Sequence, residues 1–435
     1  MSKSSFFKPE TIALHSGYAP DAEHGSRAVP VYQTTSYVFD SVSDASSLFN
    51  VEQGGHIYSR ISNPTVAVLE QRLAALQGGS GAICTASGMS ALFTTFITLC
   101  SAGDHIVAAS QIYGSTATLL RHTLTRLGIE TTFVDVNQPD QVAKAIQANT
   151  KLVFCETIGN PGLDVADLPK LSQVTNEQGV PLVVDATFTP PTLQDPFAQG
   201  ANIVVHSITK WIAGHGTAVG GVIVDGGNFD WLESGRFPQL TEPYEPFHGL
   251  CFWDEFGPNA FAMKVRSESM RDLGACLSPN NAFLILQGLE TLSVRMRQHI
   301  ENTQALARWL VEQESVAWVT HPDLEQHDSH ALAQTLTPNG ACAVLTFGVQ
   351  GGRQAAAALI DALSLVSNLA NVGDSRTLAL HPGSTTHSRL SEDQMAEAGI
   401  RPEMIRVSVG IEHIDDIIAD FKTALKAAAR VAGGR

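Results

Sequence analysis

The sequence NIVVHSITKWIAGHGTAVGG, residues 202–221, decides which fold and which chemistry this chain can support. It opens with a β-branched run, Ile203 to Val205, which predicts a buried strand, and Ser207, Thr209 and Lys210 follow the run. A lysine in this place is poorly solvated, and desolvation favours the neutral amine that a Schiff-base lysine needs. From this segment alone, a surface lysine at a strand end is the alternative. The glycines that come next do not fit GxGxxG and do not open a helix, which disfavours a dinucleotide site.

Short apolar runs alternate with helical stretches around this segment. Each run is β-branched and nearly all apolar, as expected of strands that are buried on both faces. The runs are GAICTAS (81–87), HIVAAS (105–110), TTFVDV (131–136), KLVFCET (151–157), PLVVDAT (181–187), NIVVHS (202–207) and GGVIVD (220–225). Helix candidates between them include GMSALFTTFITLC (88–100), STATLLRHTLTRLG (115–128) and LPKLSQVTNEQG (168–179). This alternation predicts an α/β domain with a mainly parallel sheet.

The chain divides into three parts. Residues 1–63 have little helical periodicity and many turn formers, which predicts an extended N-terminal arm. Residues 64–274 are the α/β domain, which opens with an amphipathic helix. Within it, residues 226–262 hold nine of the chain's thirty aromatic residues, so we expect an ordered insertion packed near a cleft or an interface. Residues 275–435 combine long helical stretches with the strand ACAVLTFGV and predict a smaller α+β domain.

The composition excludes several classes of protein. The 435 residues are 44% hydrophobic and 16% charged, a globular composition that rules out a disordered or collagen-like chain. A net charge of −16 makes nucleic acid and anionic membrane poor partners, and no apolar run approaches the ~18 residues of a membrane span. The N-terminus lacks a signal-peptide core and the six cysteines form no CxxC pair, so we expect reduced thiols in a cytoplasmic protein. No histidine or cysteine spacing supports a metal site.

Two other strand ends carry polar groups that could complement the lysine. In ICTASGMSAL (83–92) a strand gives way to Ser87, Gly88 and Met89 and then to a helix, whose free N–H groups could cradle an anion. An ordinary capped helix is the alternative. PLVVDAT carries Asp185, 25 residues before Lys210, in the place where open α/β sheets bind ligands. A helix-cap or turn aspartate would look the same.

A lysine, an anion cradle and a carboxylate together fit one ligand, pyridoxal phosphate. Lys210 would form the Schiff base, the helix end would hold the phosphate, and Asp185 would pair with the pyridinium nitrogen and keep the ring an electron sink. Tyr113, in SQIYGST after the next strand, could stack on the ring face. Each signal is weak alone, but their order on successive strands favours this cofactor.

The chain as a whole resembles the Cys/Met-metabolism family of pyridoxal-phosphate enzymes, which includes the cystathionine synthases and lyases. The resemblance spans nearly the whole chain. Its motifs are YSRISNPT (58–65), TASGMSA (85–91), ETIGNP (156–161), VVDATF (183–188), HSITKWIAGHG (206–216), LALHPGSTTH (378–387) and IRVSVGIE (405–412). It implies the aspartate-aminotransferase-like fold, fold type I, with a mainly parallel seven-stranded sheet in the large domain and a smaller α+β C-terminal domain.

The resemblance also implies roles for individual residues. Lys210 is the Schiff-base lysine, Asp185 is the pyridine partner, and Tyr113 is the stacking ring and a helper in proton transfer. The other residues implied to hold the cofactor are Tyr58, Arg60, Ser87, Gly88, Met89, Asn160, Thr187, Ser207 and Thr209. Those implied to bind the substrate are Arg406, which grips its carboxylate, and Asn371, Thr385 and Tyr58. Tyr58 and Arg60 match residues that reach the neighbouring subunit's phosphate, so a homotetramer built from dimers with shared active sites is expected.

Within the family, the aromatic insertion and the stretch FGPNAFAMKVRSESMRDLGACLSPNNAFLILQGLETL (256–292) are similar to the O-acetylhomoserine sulfhydrylase branch. Ser115 stands where methionine γ-lyases usually have cysteine, which speaks against that activity, and Asn371 stands where many relatives have serine. The implied reaction of methionine biosynthesis is γ-replacement, in which O-acetyl-L-homoserine and sulfide, or a thiol, give L-homocysteine and acetate. The alternatives are a cystathionine γ-synthase, an O-succinylhomoserine sulfhydrylase and a non-enzymatic binding protein of the same fold.

Overall fold

Two β-sheets organise the chain, whose three-dimensional structure is a computed structural model. It describes residues 7–386, 388, 391, 395 and 399–433. The larger sheet contains β1 (Gly81–Thr85), β2 (His105–Ala109), β3 (Glu130–Val134), β4 (Thr150–Glu156), β5 (Leu182–Asp185), β6 (Ile203–His206) and β7 (Gly221–Asp225). Within the described residues these seven strands lie in the order β1-β7-β6-β5-β4-β2-β3.

Neighbouring strands of the larger sheet are parallel except at β7, which runs antiparallel to both β6 and β1. The mainly parallel sheet is therefore confirmed. Its central strands are almost wholly buried, as their continuous apolar sequences require. The carboxyl ends of β4, β5 and β6 lie at one edge and carry Glu156, Asp185 and the turn to Lys210. Ligands of open α/β sheets bind at this edge.

Helices connect these strands. Those in the first 180 residues are α1 (Pro9–His15), α2 (Val42–Phe49), α3 (Pro64–Gln77), α4 (Gly88–Leu99), α5 (Gly114–Thr118), α6 (Pro139–Ala145) and α7 (Leu168–Glu177). Side-chain caps define two of the starts. The Asn63 side chain accepts a hydrogen bond from the N–H of Thr65 at α3, and the Ser87 hydroxyl accepts one from the N–H of Ser90 at α4. The start of α4 therefore falls next to β1, where the sequence predicts an anion cradle.

The segment 115–128, expected to be a single helix, changes its winding twice. After α5 the chain forms a π-helix over residues 119–124 and a 3-10 turn over residues 125–127. The hydroxyl of Thr118 donates to the carbonyl oxygen of Gly114 at 3.0 Å. Hydroxyls that bond to the preceding turn bend helices and compete with regular winding, which gives a physical reason for the difference.

The N-terminal arm is less extended than its sequence indicates, because it contains α1 and α2. Both helices are too short to produce a periodic pattern, and local signals start them. Pro9 opens α1, and the Ser41 hydroxyl accepts a hydrogen bond from the N–H of Asp44 at α2. Between the two helices the arm is tied to α3, where the Thr65 hydroxyl donates to the carbonyl oxygen of Pro30 at 2.8 Å.

Residues 226–262 form an ordered cluster of short helices and packed rings. The helices are α8 (Trp231–Ser234), α9 (Pro238–Thr241), α10 (Phe252–Phe256) and α11 (Ala260–Lys264). The fully buried rings are those of Trp231, Phe237, Phe252 and Phe261. Lys264 is buried among them: its Nζ lies 3.5 Å from the ring centroid of Tyr244 and is paired with the Glu268 carboxylate. The high aromatic content therefore builds a local core with one satisfied cation.

The C-terminal part carries the second sheet. Its strands in the described residues are β8 (Val316–Thr320), β9 (Val344–Val349), β10 (Ser367–Asn368), β11 (Leu378–Leu380) and β12 (Met404–Ser408), in the spatial order β10-β11-β12-β9-β8. The helices after the insertion are α12 (Arg271–Leu273), α13 (Pro279–Leu289), α14 (Leu292–Val311), α15 (His330–Leu336), α16 (Gly352–Ala362) and α17 (Ile414–Ala432).

Two apolar cores share the long helix α14. Met296, in its first half, belongs to the core around the larger sheet, whereas Leu306 and Leu310 pack with Phe347 and Phe421 in the second core. The expected smaller α+β unit is therefore present, while the three domain boundaries stay predictions. Among the described residues, no helix is long and apolar enough to cross a membrane.

The junction between α16 and β10 depends on one buried carboxylate. Asp420, on α17, accepts hydrogen bonds from the backbone N–H groups of Ser364, Leu365 and Val366 and from the Ser364 hydroxyl, at 2.9 to 3.2 Å. Burial alone would raise the pKa of Asp420, but the bonds from Val366 and Ser364 outweigh burial and hold the pKa below its usual value. The carboxylate therefore stabilises the fold as an anion.

We expect Asp420→Asn to lower the free energy of unfolding by about 2 kcal/mol at neutral pH, because charge-assisted bonds are lost. Since the folded-state pKa is depressed, this stabilisation is present above the unfolded value of about 3.9 and is lost as the pH falls through the folded value. The gap between wild type and variant in urea unfolding should therefore shrink below about pH 4. Asp361→Asn, at an exposed position of α16, is the control, and an equal loss in both variants would contradict the prediction.

Candidate active site

An anion cradle lies where α4 begins. The first N–H groups of this helix, at Gly88 and Met89, have no partner within the helix, and the Ser207 hydroxyl makes no hydrogen bond to another described residue. A Cβ added at Gly88 would lie 2.7 Å from the Ser207 Cβ and 3.1 Å from its Oγ. Only glycine lets the two backbones approach so closely. Free N–H groups and a free hydroxyl at a helix N-terminus are the donors that a phosphate requires.

A carboxylate lies at the end of β5, which β7 and β6 separate from β1 and the cradle. Oδ1 of Asp185 accepts hydrogen bonds from the N–H and the hydroxyl of Thr187, at 2.9 and 2.5 Å, while Oδ2 bonds to no described residue. The Thr187 hydroxyl in turn accepts the N–H of Ser207 at 2.9 Å. Burial raises the pKa of Asp185, and the bonds from Thr187 oppose part of that rise. One free carboxylate oxygen at this edge suits a protonated ring nitrogen, whose charge would favour the anion.

Lys210 points to the smaller domain and away from bulk water. Its Nζ donates to the side-chain oxygen of Asn371 at 2.5 Å. Burial lowers the pKa of Lys210 to about 8, and the positive charge of Arg406 adds to the effect. The amine is therefore much closer to neutrality at physiological pH than an exposed lysine would be.

The turn after Lys210 is held from two sides. Arg295, from α14, donates to the carbonyl oxygens of Trp211, Ile212 and Gly288 at 2.7, 3.2 and 2.6 Å. On the other side Gly373 has a positive φ of 79°, and a Cβ there would lie 2.8 Å from the Lys210 carbonyl carbon. Burial lowers the pKa of Arg295 to about 10, and no described carboxylate pairs with this arginine. Arg295 therefore serves as a hydrogen-bond donor to buried carbonyl groups.

Arg406 brings a guanidinium to the same place. The residue is only 7% exposed and lies on β12, with Nη1 3.3 Å from the Asn160 side-chain oxygen and Nη2 3.5 Å from the Asn371 carbonyl oxygen. Burial lowers the pKa of Arg406 to about 10, while the nearby Tyr113 phenol opposes that fall. No carboxylate among the described residues forms an ion pair with it. A buried guanidinium without a carboxylate favours an anionic ligand.

Tyr113 is open to this pocket rather than packed. Its side chain is 47% exposed and has no hydrogen bond or ring contact with a described residue, so the ring face is available for stacking. Its backbone N–H donates to Oε1 of Glu156 at 2.6 Å. Glu156 is a site residue that the sequence reasoning missed, although it opens the quoted motif ETIGNP. Arg295 was missed as well, and no motif marks it.

Other predicted residues occupy different environments. The Thr209 hydroxyl is engaged with Gly220, accepting its N–H and donating to its carbonyl oxygen, so in this structure it braces the turn. The Met89 sulfur lies 3.9 Å from the Thr116 hydroxyl. The Thr385 hydroxyl donates to the carbonyl oxygen of His381 and makes no bond to Lys210 or its neighbours. The roles assigned to these residues stay predictions.

Tyr58 and Arg60 do not join the pocket of their own chain. Nη1 of Arg60 donates to the carbonyl oxygen of Arg271, and its guanidinium carbon lies 5.4 Å from the ring centroid of Tyr58. Within the described residues neither side chain contacts Lys210 or Asp185. The contacts of Arg60 are therefore with Arg271 and Tyr58 and not with the residues at the strand ends.

The cradle, the carboxylate, the strand-end lysine and the guanidinium supply groups that fit pyridoxal phosphate and an amino-acid substrate. Ser87, Gly88, Met89 and Ser207 would hold the phosphate, and the free oxygen of Asp185 would meet the ring nitrogen. The fold and the site thus define a pyridoxal-phosphate-dependent enzyme of fold type I.

Comparison with known proteins supports the assignment to the pyridoxal-phosphate-dependent enzymes. The sequence profile of the Cys/Met metabolism PLP-dependent enzymes matches residues 10–426, and the chain belongs to that family. It is 50% identical to a homocysteine synthase of Schizosaccharomyces pombe over 421 residues, 96% of this chain and 98% of the relative. It is also 50% identical to O-acetyl-L-homoserine sulfhydrylase 1 of Thermus thermophilus over 418 residues, 96% of this chain and 99% of the relative.

A solved structure gives the same result. An O-acetylhomoserine (thiol)-lyase of Campylobacter jejuni, which contains a pyridoxyl-lysine monophosphate residue, superposes with a TM-score of 0.93 at 39% identity. The match covers 97% of this chain and 100% of that one. The family, the fold type and the cofactor expected from the sequence are therefore confirmed, while the individual site residues stay predictions.

We expect Lys210→Ala to abolish covalent attachment of the cofactor and to lower turnover by several orders of magnitude, because no other lysine among the described residues follows the carboxyl end of a strand in the larger sheet. Borohydride reduction followed by peptide mapping measures the attachment, and far-ultraviolet circular dichroism checks the fold. Lys170→Ala, at an exposed position on α7, is the matched control and should retain the label and the activity. A reduced pyridoxyl group mapped to a different lysine would disprove the assignment.

Proposed function

We propose that this enzyme catalyses γ-replacement on O-acetyl-L-homoserine, in which sulfide displaces acetate and L-homocysteine forms. The observation that carries the proposal is that two groups lie in the same pocket. One is Lys210, whose pKa is lowered to about 8, and the other is Arg406, which is buried and has no ion pair with a described carboxylate. Together they suit an amino-acid substrate. The full-length similarity to enzymes named homocysteine synthase and O-acetyl-L-homoserine sulfhydrylase supports the choice of side chain.

The residues of the chain divide the work of this reaction. When bound, the cofactor supplies the electron sink that makes the Cα–H and Cβ–H bonds of the substrate acidic. Arg406 would bind the α-carboxylate through its guanidinium and fix which bond of Cα faces Lys210. The neutral amine of Lys210 would accept the Cα proton and later return one, with Asn371 orienting Nζ.

Replacement at Cγ breaks the bond to the acetate oxygen and forms a bond to sulfur. The phenol of Tyr113, close to Arg406, is placed to help in proton transfer during the departure of acetate and the entry of hydrosulfide. The deep position of Lys210 and Arg406 limits water, which would otherwise compete with hydrosulfide as a nucleophile.

The function is tested by steady-state assays with the acetyl, succinyl and phospho esters of homoserine, each with sulfide and with cysteine. The proposal requires the highest kcat/KM for the acetyl ester with sulfide. A preference for the succinyl ester with cysteine would instead identify a cystathionine γ-synthase.

We further propose that the enzyme works as a cytoplasmic homotetramer built from dimers with shared active sites. The arm supports this arrangement because Val38 is 99% and Val42 89% exposed in the single chain, and such apolar positions gain by burial against a second copy. Tyr58 and Arg60 on the same arm face away from their own pocket. The six cysteines, all within the described residues, are free thiols, as a reducing compartment favours.

Arg406→Ala should lower kcat/KM for the amino-acid substrate on the order of 10²-fold or more, since a charge-assisted bidentate pair is lost. Arg406→Lys should restore little, because an ammonium lacks the planar fork of the guanidinium. Arg308→Ala, an exposed arginine on α14, controls for the loss of a positive charge. Near-normal kinetics for Arg406→Ala would refute its role.

Trans-complementation tests the shared site. Arg60→Ala and Lys210→Ala proteins, each nearly inactive, should recover about a quarter of wild-type sites when refolded together, because half of the random dimers are mixed and each of those has one intact site. The control pair is Arg406→Ala with Lys210→Ala. Both of these residues serve the same chain's pocket, so every site keeps a lesion and no activity should return. If mixed oligomers form and the first pair also stays inactive, Arg60 serves its own chain.

A further inference from the structure

The acid at the end of β4 is used by none of the steps described so far. Glu156 is 9% exposed and stands opposite Asp185 in the parallel register of β4 and β5. One of its oxygens accepts the backbone N–H of Tyr113 at 2.6 Å, across 43 residues of sequence. The bond therefore joins β4, the neighbour of β5 and Asp185, to the segment that carries Tyr113, the predicted stacking ring.

Charging both neighbouring carboxyl groups, those of Glu156 and Asp185, is energetically unfavourable. No lysine or arginine among the described residues forms an ion pair with Glu156 or Asp185. Two anions in a poorly solvated place repel each other, so one of them keeps its proton. Asp185 receives two hydrogen bonds from Thr187 and a positive ring nitrogen suits its free oxygen, so Asp185 is the anion. Burial first, and then the charge of Asp185, raises the pKa of Glu156 well above its usual value.

The backbone of Tyr113 needs this acceptor. Tyr113 precedes the five-residue helix α5, and its own N–H has no acceptor among the described residues other than Glu156. Its side chain is 47% exposed and makes no side-chain hydrogen bond and no ring contact with a described residue. The direction of the ring therefore depends on the backbone of Tyr113, and the hydrogen bond to Glu156 holds that backbone in place.

We propose that Glu156 is a positioning residue that, as a neutral acid, holds the backbone of Tyr113 and thereby aims its ring at the pyridoxal phosphate. The assignment rests on the confirmed cofactor and on Tyr113 as its stacking residue, and it holds whichever homoserine ester is the substrate. Its failure is therefore distinguishable from a failure of the proposed sulfhydrylase activity.

The test measures cofactor binding in the assembled protein. The dissociation constant of pyridoxal phosphate and the visible circular dichroism of the holoenzyme are recorded for Glu156→Gln and Glu156→Ala. Glutamine is neutral and keeps the acceptor, so the dissociation constant should stay within about twofold of wild type. Alanine leaves the N–H of Tyr113 without a partner, so the constant should rise about five- to twentyfold and the dichroic band should weaken. Glu130→Ala, on the exposed edge strand β3, is the control and should change neither signal.

A double-mutant cycle shows whether Glu156 acts through Tyr113. In a Tyr113→Ala background, Glu156→Ala should change the dissociation constant by less than about twofold, because the ring it positions is gone. Unfolding midpoints are measured for each protein, and if Glu156→Ala does not fold, Glu156→Leu replaces it, since leucine fills the space without an acceptor. Full additivity of the two substitutions would overturn the proposal. So would a Glu156→Gln protein that binds the cofactor as weakly as Glu156→Ala.

Discussion

The desolvation of one amine is the constraint on which this structure depends. An ammonium group in a poorly hydrated pocket is unfavourable, so burial lowers the pKa of Lys210 to about 8 and increases the share of its amine that is neutral. To keep water away, the chain surrounds the strand end with backbone, and that backbone needs its own hydrogen bonds. Arg295 donates to that backbone, and Asn371 accepts a hydrogen bond from the Lys210 amine itself; both residues come from the C-terminal half of the chain. Contacts to Lys210 and to the turn that follows it therefore join the two halves of the chain.

The charge of the whole chain is a poor guide to this pocket. The protein carries a net charge of −16, yet the described groups that act on Lys210 are the Arg406 guanidinium and the Asn371 amide, and the Asn160 amide bonds to that arginine. The acids of the site, Asp185 and Glu156, stand at the ends of adjacent strands, where the first is predicted to meet a ring nitrogen and the second is proposed to be neutral. Local groups can therefore bind a phosphate or a carboxylate within an acidic molecule, since distant charge is screened over about 10 Å in salt.

The sequence predicted the parts of the site that follow a strand. Lys210, Asp185 and the Ser87–Met89 segment each come directly after an apolar run, and parallel strands place such ends at one edge without further information. Contacts across long separations could not be foreseen in this way. Asn371 meets Lys210 across 161 residues, and Arg295 bonds to the turn across 84. Neither contact leaves a periodic pattern, because each depends on how the two sheets pack.

In the N-terminal arm, physical reasoning missed two helices, and the resemblance gave roles that stay predictions. The short helices of the arm were missed because α1 begins at a proline and α2 at a serine cap, and each helix ends before a second period of apolar residues. Tyr58 and Arg60 were named from a motif alone, and a single chain gives them no place at its own pocket. Their predicted purpose requires a surface that only a second chain would provide.

The close packing of Gly373 restricts how the pocket could be reshaped. Its backbone approaches the main chain of Lys210 and Trp211 so closely that no side chain fits between them, and Asn371 stands only two residues away. A change that moved this segment away from the lysine turn would also take the Asn371 amide away from the Lys210 amine. A pocket enlarged here for bulkier esters would therefore alter the hydrogen bonding of the base together with the space for the substrate.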